Sequence, residues 1–172
     1  TLEIQNQTRN GIIKAIIMFD TRYGNTEKIA KSLERGLNQT CIETVCVNTR
    51  DVTVDLLKQY DMICVGAPTQ FMTASRPMKK FLGKLKSMNL FGKYGFAFDT
   101  KFDSRMSGSA AKFIEEKLKN LGLEIIAPRE SAIVFGMNEK EGGAILKEGE
   151  ETRFEQIGLR IGTRKTQAIR SP

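Results

Sequence analysis

The chain has 172 residues, 40% hydrophobic and 27% charged, with a formal net charge of +7. That make-up fits one globular domain with room for a real core. The absence of any histidine excludes histidine metal sites, Ser–His hydrolysis and a histidine general base.

The elements alternate along the chain. Residues 1–10 are polar and lack the apolar core of a secretory signal. A near-continuous apolar run, Ile12–Phe19, reads as a parallel strand covered on both faces. Asn25–Leu37 follows as a helix, with Ile29, Ala30, Leu33 and Leu37 on one face. Cys41–Val47 reads as a second strand and Val54–Gln59 as a short helix. Met62–Gly66 is a third strand, ending at Pro68, and Pro77–Leu85 is a helix with proline at a favoured early position. Tyr94–Phe98 is a fourth strand, and Ser109–Leu121 is a helix stopped by Gly122. Leu123–Ile126 and Ser131–Phe135 make a fifth strand broken at Pro128. Met137–Gly149 reads as a Gly-rich loop and Glu150–Ile161 as the last helix, before a polar, frayed tail at 163–172.

Five strands alternating with helices predict a three-layer, doubly wound five-stranded parallel α/β sheet of order 2-1-3-4-5, occupying residues 11–162 between two polar tails. No apolar run is long enough to span a membrane. Cys41, Cys46 and Cys64 form no C-x-x-C pair, which points to reduced thiols and a cytoplasmic setting. No metal site is expected.

The segment between the first strand and the first helix, Asp20 to Thr26, carries the chemistry. It holds two threonine hydroxyls (Thr21, Thr26), a side-chain amide and a glycine at a helix amino end. Backbone N–H groups converge there, and the helix dipole favours an anion. The simplest ligand is a phosphate monoester, although a plain strand-to-helix turn with a Thr cap has the same composition. Other phosphate motifs fail. Gly83-Lys84 is followed by Leu85, and Gly92-Lys93 by Tyr94, so no Walker loop exists. No Gly-x-Gly occurs either.

Thr21-Arg22-Tyr23-Gly24-Asn25-Thr26 resembles the phosphate loop of the flavodoxin family, Thr/Ser-x-Thr-Gly-x-Thr, with Tyr23 in place of the usual Thr at the third position. Ala67-Pro68-Thr69-Gln70-Phe71-Met72 and Phe98-Asp99-Thr100-Lys101-Phe102 resemble the family's two further flavin loops. The resemblance covers residues 12 to 160 and implies the short-chain type. It implies that Thr21, Arg22, Tyr23, Gly24, Asn25 and Thr26 hold the phosphate of FMN. Pro68, Thr69, Gln70, Phe71 and Met72 are then expected along one side of the isoalloxazine, and Asp99, Thr100, Lys101 and Phe102 along another. The chain has no Trp, so Phe71 and Phe102 are the rings available for stacking, with Met72 as a polarizable substitute. Either ring has the alternative role of anchoring its loop on the sheet. In the family a peptide of the second loop turns over on one-electron reduction, commonly at a glycine. Thr69–Ser75 contains none, which implies weaker stabilisation of the one-electron-reduced flavin.

The implied function is a low-potential electron carrier that binds FMN non-covalently and shuttles electrons between redox proteins, with no catalytic side chain. An FMN-dependent NAD(P)H:quinone reductase and a flavin-free binding module share the fold and stand as alternatives. Arg76, Lys79, Lys80, Lys84, Lys86, Lys93 and Lys101 face only Asp99 within 76–101. That stretch is either a solvated face or a docking surface for acidic, ferredoxin-like or flavoprotein partners. Neither nucleic acid nor membrane insertion is expected, and the chain is expected to be a monomer or weak dimer.

Overall fold

The computed structural model describes residues 12–138 and 143–170, so the 1–10 tail lies outside the described residues. Strand β1 (Ile13–Phe19) lies between β2 (Ile42–Asn48) and β3 (Met62–Gln70), parallel to both. β3 pairs parallel with β5 (Tyr94–Phe102) and antiparallel with the short β4 (Thr73–Ala74). β5 pairs parallel with β6 (Glu124–Ile125) and β7 (Glu130–Asn138). A last strand, β8 (Gly143–Leu146), runs antiparallel to β7. The path through the sheet is therefore β2-β1-β3-β5-β7-β8.

Helices cover both faces. On one, α2 (Arg76–Lys84) and α3 (Ala110–Asn120) bury Met78, Phe81, Ile114 and Leu118 against Ile16, Ile63, Val65 and Ala97. On the other, α1 (Asn25–Asn38) and α4 (Glu150–Arg170) bury Ile29, Leu33, Phe154 and Ile157 against Ile17, Cys64, Phe96 and Phe98. Alternate residues of β1 and β5 thus feed different cores, as the period of a strand requires. Helices α1 and α4 approach closely at Gly36, where a Cβ would meet the Glu155 backbone. Cys64 is fully buried, and burial pushes its thiol up to about 12; it is a packing residue. Among the described residues no helix is long and apolar enough to cross a membrane.

Four expectations are corrected. The sheet is not wholly parallel and five-stranded, because part of the expected 137–149 loop continues β7 and adds β8. Residues 163–170 extend α4. The turn at Val54–Gln59 is 3-10 rather than α. The third and fourth strands run on to Gln70 and Phe102, so residues 68–70 and 99–102 are strand, not loop. Pro68 is tolerated because β1 pairs with β3 only as far as Phe19↔Gly66. Beyond that point β1 no longer pairs with β3, so Pro68 takes no ladder N–H away from it.

Candidate functional site

Beyond the carboxyl end of β1 the chain turns sharply into α1. The Asp20 N–H bonds the Gly66 carbonyl at 3.1 Å, and Ser75 Oγ donates to Asp20 Oδ2 at 2.6 Å. These contacts fasten the first turn to the middle of β3 and to the start of α2. The Gly24 N–H bonds Thr21 Oγ1 at 3.0 Å, and Gly24 itself adopts φ 84°.

Three helix amino ends face this edge of the sheet, and they differ. Ser75 caps α2 through the Met78 N–H, and Ser109 caps α3 through the Lys112 N–H. The cap position of α1 is Gly24, and among the described residues no side chain caps its first turn. The N–H groups and positive dipole end of α1 are therefore left for an outside anion.

A pocket of about 80 Å³ opens beside this amino end. The structure brings Thr21, Arg22, Tyr23, Asn25, Thr26, Pro68, Thr69, Gln70, Thr100 and Phe102 together around it. Thr26 Oγ1 and Thr100 Oγ1 are 2.9 Å apart, joining α1 to β5. The pocket is smaller than an ordinary closed ligand site of a few hundred Å³. A polar cavity of about 440 Å³ adjoins it and shares Tyr23 and Asn25.

Ala144 of β8 also lines the pocket, and the sequence did not single it out. Asn25 Nδ2 donates to its carbonyl at 2.6 Å. A Cβ on Gly143 (φ 87°) would strike the Tyr23 ring, so only glycine lets β8 lie this close. Arg22 stacks over the same ring, its guanidinium carbon 5.1 Å from the centroid. The Tyr23 hydroxyl is buried and has no partner among the described residues. The signal for this contact was the pair of glycines Gly142-Gly143, which composition alone marks as a loop.

The remaining expected residues are placed elsewhere. Gly24 shapes the turn without lining the pocket, and Lys101 lies outside the lining. Asp99 is wholly buried and points to the α3 side. Phe71 and Met72 form the two-residue tip of the β3–β4 hairpin, between Gln70 and Thr73, and are 100% and 66% exposed. Their φ angles are 47° and 68°, the left-handed pair that a type I′ turn requires. The backbone thus enters this region at two non-glycine residues, which carry the cost of a left-handed conformation. Phe102, 36% exposed, is the one expected stacking ring that borders the pocket.

The basic stretch divides in two. Arg76, Lys79, Lys80, Lys84 and Lys86 are exposed. Lys93 instead donates to the carbonyls of Lys58 and Tyr60 at 3.2 and 2.5 Å, and burial lowers its pKa. It is a structural strut. Among the described residues no group of three or more His, Cys, Asp or Glu could hold a metal ion.

Comparison with known proteins agrees with this fold. The family model for flavodoxin matches residues 17–156. A flavodoxin from Clostridium saccharobutylicum is 26% identical over 160 residues, covering 90% of this chain and 99% of the relative. The nitric oxide reductase of Moorella thermoacetica is 30% identical over 128 residues, which cover 68% of this chain and 30% of that protein. Among solved structures, a flavodoxin from the domain Archaea superposes with a TM-score of 0.73 at 26% identity, covering 90% of this chain and 99% of that one.

Proposed function

The chain belongs to the flavodoxin family, and from that premise we propose that it shuttles single electrons at low potential between acidic redox proteins. Flavodoxins are FMN-binding electron carriers, and the residues present fit that group. The observation that carries the reading is the amino end of α1 beside the pocket, uncapped by any side chain among the described residues, while α2 and α3 are capped by their own serines.

Thr21 to Thr26 hold the phosphate in this reading. The N–H groups that open α1 donate to it, with hydroxyl support from Thr21 and Thr26. Asn25 commits one amide hydrogen to Ala144 and keeps a second for the ligand. Arg22, exposed above Tyr23, offsets phosphate charge. Pro68, Thr69, Gln70, Thr100 and Phe102 border the ring, and Phe71 and Met72 rim it from the hairpin tip. FMN, when bound, supplies the chemistry by taking up and releasing electrons. Apolar walls and the nearby phosphate disfavour further negative charge in the site, which lowers the potential. No side-chain acid, base or nucleophile is needed. The exposed cations of α2 and its flank favour encounter with a negatively charged partner.

The test is titration of apoprotein with FMN, FAD and riboflavin, then electron exchange with an acidic [4Fe–4S] ferredoxin at rising ionic strength. FMN is expected to bind tightest and the exchange to slow as salt screens the charges. Equal affinity for riboflavin and FMN removes the phosphate assignment. A rate that is flat or rising with salt removes the docking assignment.

A further inference from the structure

Asp99 was expected to touch the flavin, yet its carboxylate does not border the pocket. It is wholly buried at the carboxyl end of β5, on the face covered by α3. Its Oδ2 accepts from Thr69 Oγ1 at 3.1 Å, Ser109 Oγ at 2.8 Å and the Ala111 N–H at 2.9 Å. Thr69 Oγ1 accepts in turn from the Ala110 N–H at 2.9 Å. The Ser109 N–H reaches the Met72 carbonyl at 3.3 Å, and Met72 bridges Gly108. One oxygen therefore joins the end of β3 to the amino end of α3, and Ser109 in turn holds the hairpin tip through Met72.

The other oxygen, Oδ1, is buried and has no partner among the described residues. Burying a carboxylate is costly, and leaving half of it unpaired more so. Packing alone would be served by an apolar residue of similar size. What a carboxylate adds is a single acceptor that aligns three donors, one from β3 beside the pocket and two from the amino end of α3. Helix α3 contributes its dipole to the same oxygen. Its amino end is thereby closed to other anions, which separates it from that of α1.

We infer that Asp99 is a positioning residue of the flavin site, acting through Thr69 and Ser109 rather than by contact. It sets the wall formed by Pro68–Gln70 and the base of the Phe71–Met72 hairpin before ligand arrives. The inference rests on the reading that this pocket takes the flavin ring.

The experiment compares Asp99→Ala, Asp99→Asn and Thr69→Val in the full chain, with FMN and riboflavin as separate probes. Amide exchange of the ligand-free protein is followed in parallel. Asp99→Ala and Thr69→Val should weaken both flavins by the same factor, about tenfold, because the ring wall loosens and the phosphate end does not. Exchange at residues 69–74 should quicken while that of α1 stays unchanged. Asp99→Asn keeps an acceptor oxygen for the three donors and should restore most of the affinity and protection. If Asp99→Ala fails to fold, the other two variants carry the comparison. Folded variants with unchanged affinity for both flavins overturn the inference, as does weakening of FMN alone. If the unmodified protein binds neither flavin, the flavin reading fails. The clamp itself is then judged by exchange at 69–74, and unchanged protection there refutes it separately.

Discussion

Replacing Phe71 and Met72 together by Asn and Gly should stabilise the ligand-free protein. Both residues sit at positive φ, 47° and 68°. A non-glycine residue in the left-handed region costs about 1–2 kcal/mol. Asn tolerates that region and Gly occupies it freely. Little packing is lost in exchange. Phe71 is 100% exposed and gives up no apolar burial. Met72 is 66% exposed, so about a third of a buried methionine's value, roughly 0.5–1 kcal/mol, is lost. The extra freedom of Gly in the unfolded chain takes off roughly 0.5–1 kcal/mol more. A net stabilisation of about 1–2 kcal/mol remains. The assay is urea unfolding of apoprotein, read as a raised midpoint at unchanged slope. The same variant should bind FMN more weakly, because the hairpin tip loses its apolar rim. Strain kept at a functional site is then exchanged for stability. A variant destabilised by more than about 1 kcal/mol would refute the reasoning, because Phe71 and Met72 would then be holding the turn rather than straining it.

Three further outcomes are expected. Thr26→Ala removes a buried hydroxyl bonded to Thr100 and should weaken FMN by about 1–3 kcal/mol while sparing riboflavin; equal losses for the two would contradict the phosphate assignment. Gly143→Ala should lower FMN affinity through displacement of Tyr23, and should cost less in a Tyr23→Ser background, where only backbone strain at φ 87° is left. Strictly additive effects in that double-mutant cycle would show that β8 and the phosphate turn are uncoupled. Glu115 contributes to the pH dependence. Burial pushes its carboxyl up, but hydrogen bonds from Lys119 and the Arg129 backbone, with the charges of both residues, leave it below its ordinary value of 4.5. Its contribution is thus present above that ordinary value and is lost as pH falls through the lower, folded one. Glu115→Gln should accordingly lose less stability than the unmodified chain between about pH 6 and pH 3, by urea midpoint; identical losses would sink this assignment.

Much of the molecule was legible along the chain. Apolar runs such as Ile12–Phe19 mark strands covered on both faces, because only burial tolerates them. The helical spacing of Ile29, Leu33 and Leu37 is a local property, as is the polar turn at a helix start. These follow from periods of two and 3.6, which need no partner. The tertiary structure decided the rest. Pro68 sits in a strand only because β1 has already ended beside it. Asn25 meets Ala144, 119 residues away, only because β8 folds back on β7 and lies against the turn between β1 and α1. Asp99 and Thr100 are neighbours in sequence, yet one serves α3 and the other α1. The alternation of a strand separates them, but which face each helix covers is set by the path of the chain across the sheet. A carboxylate therefore turns from expected ligand contact into a buried clamp for a reason that no local pattern contains.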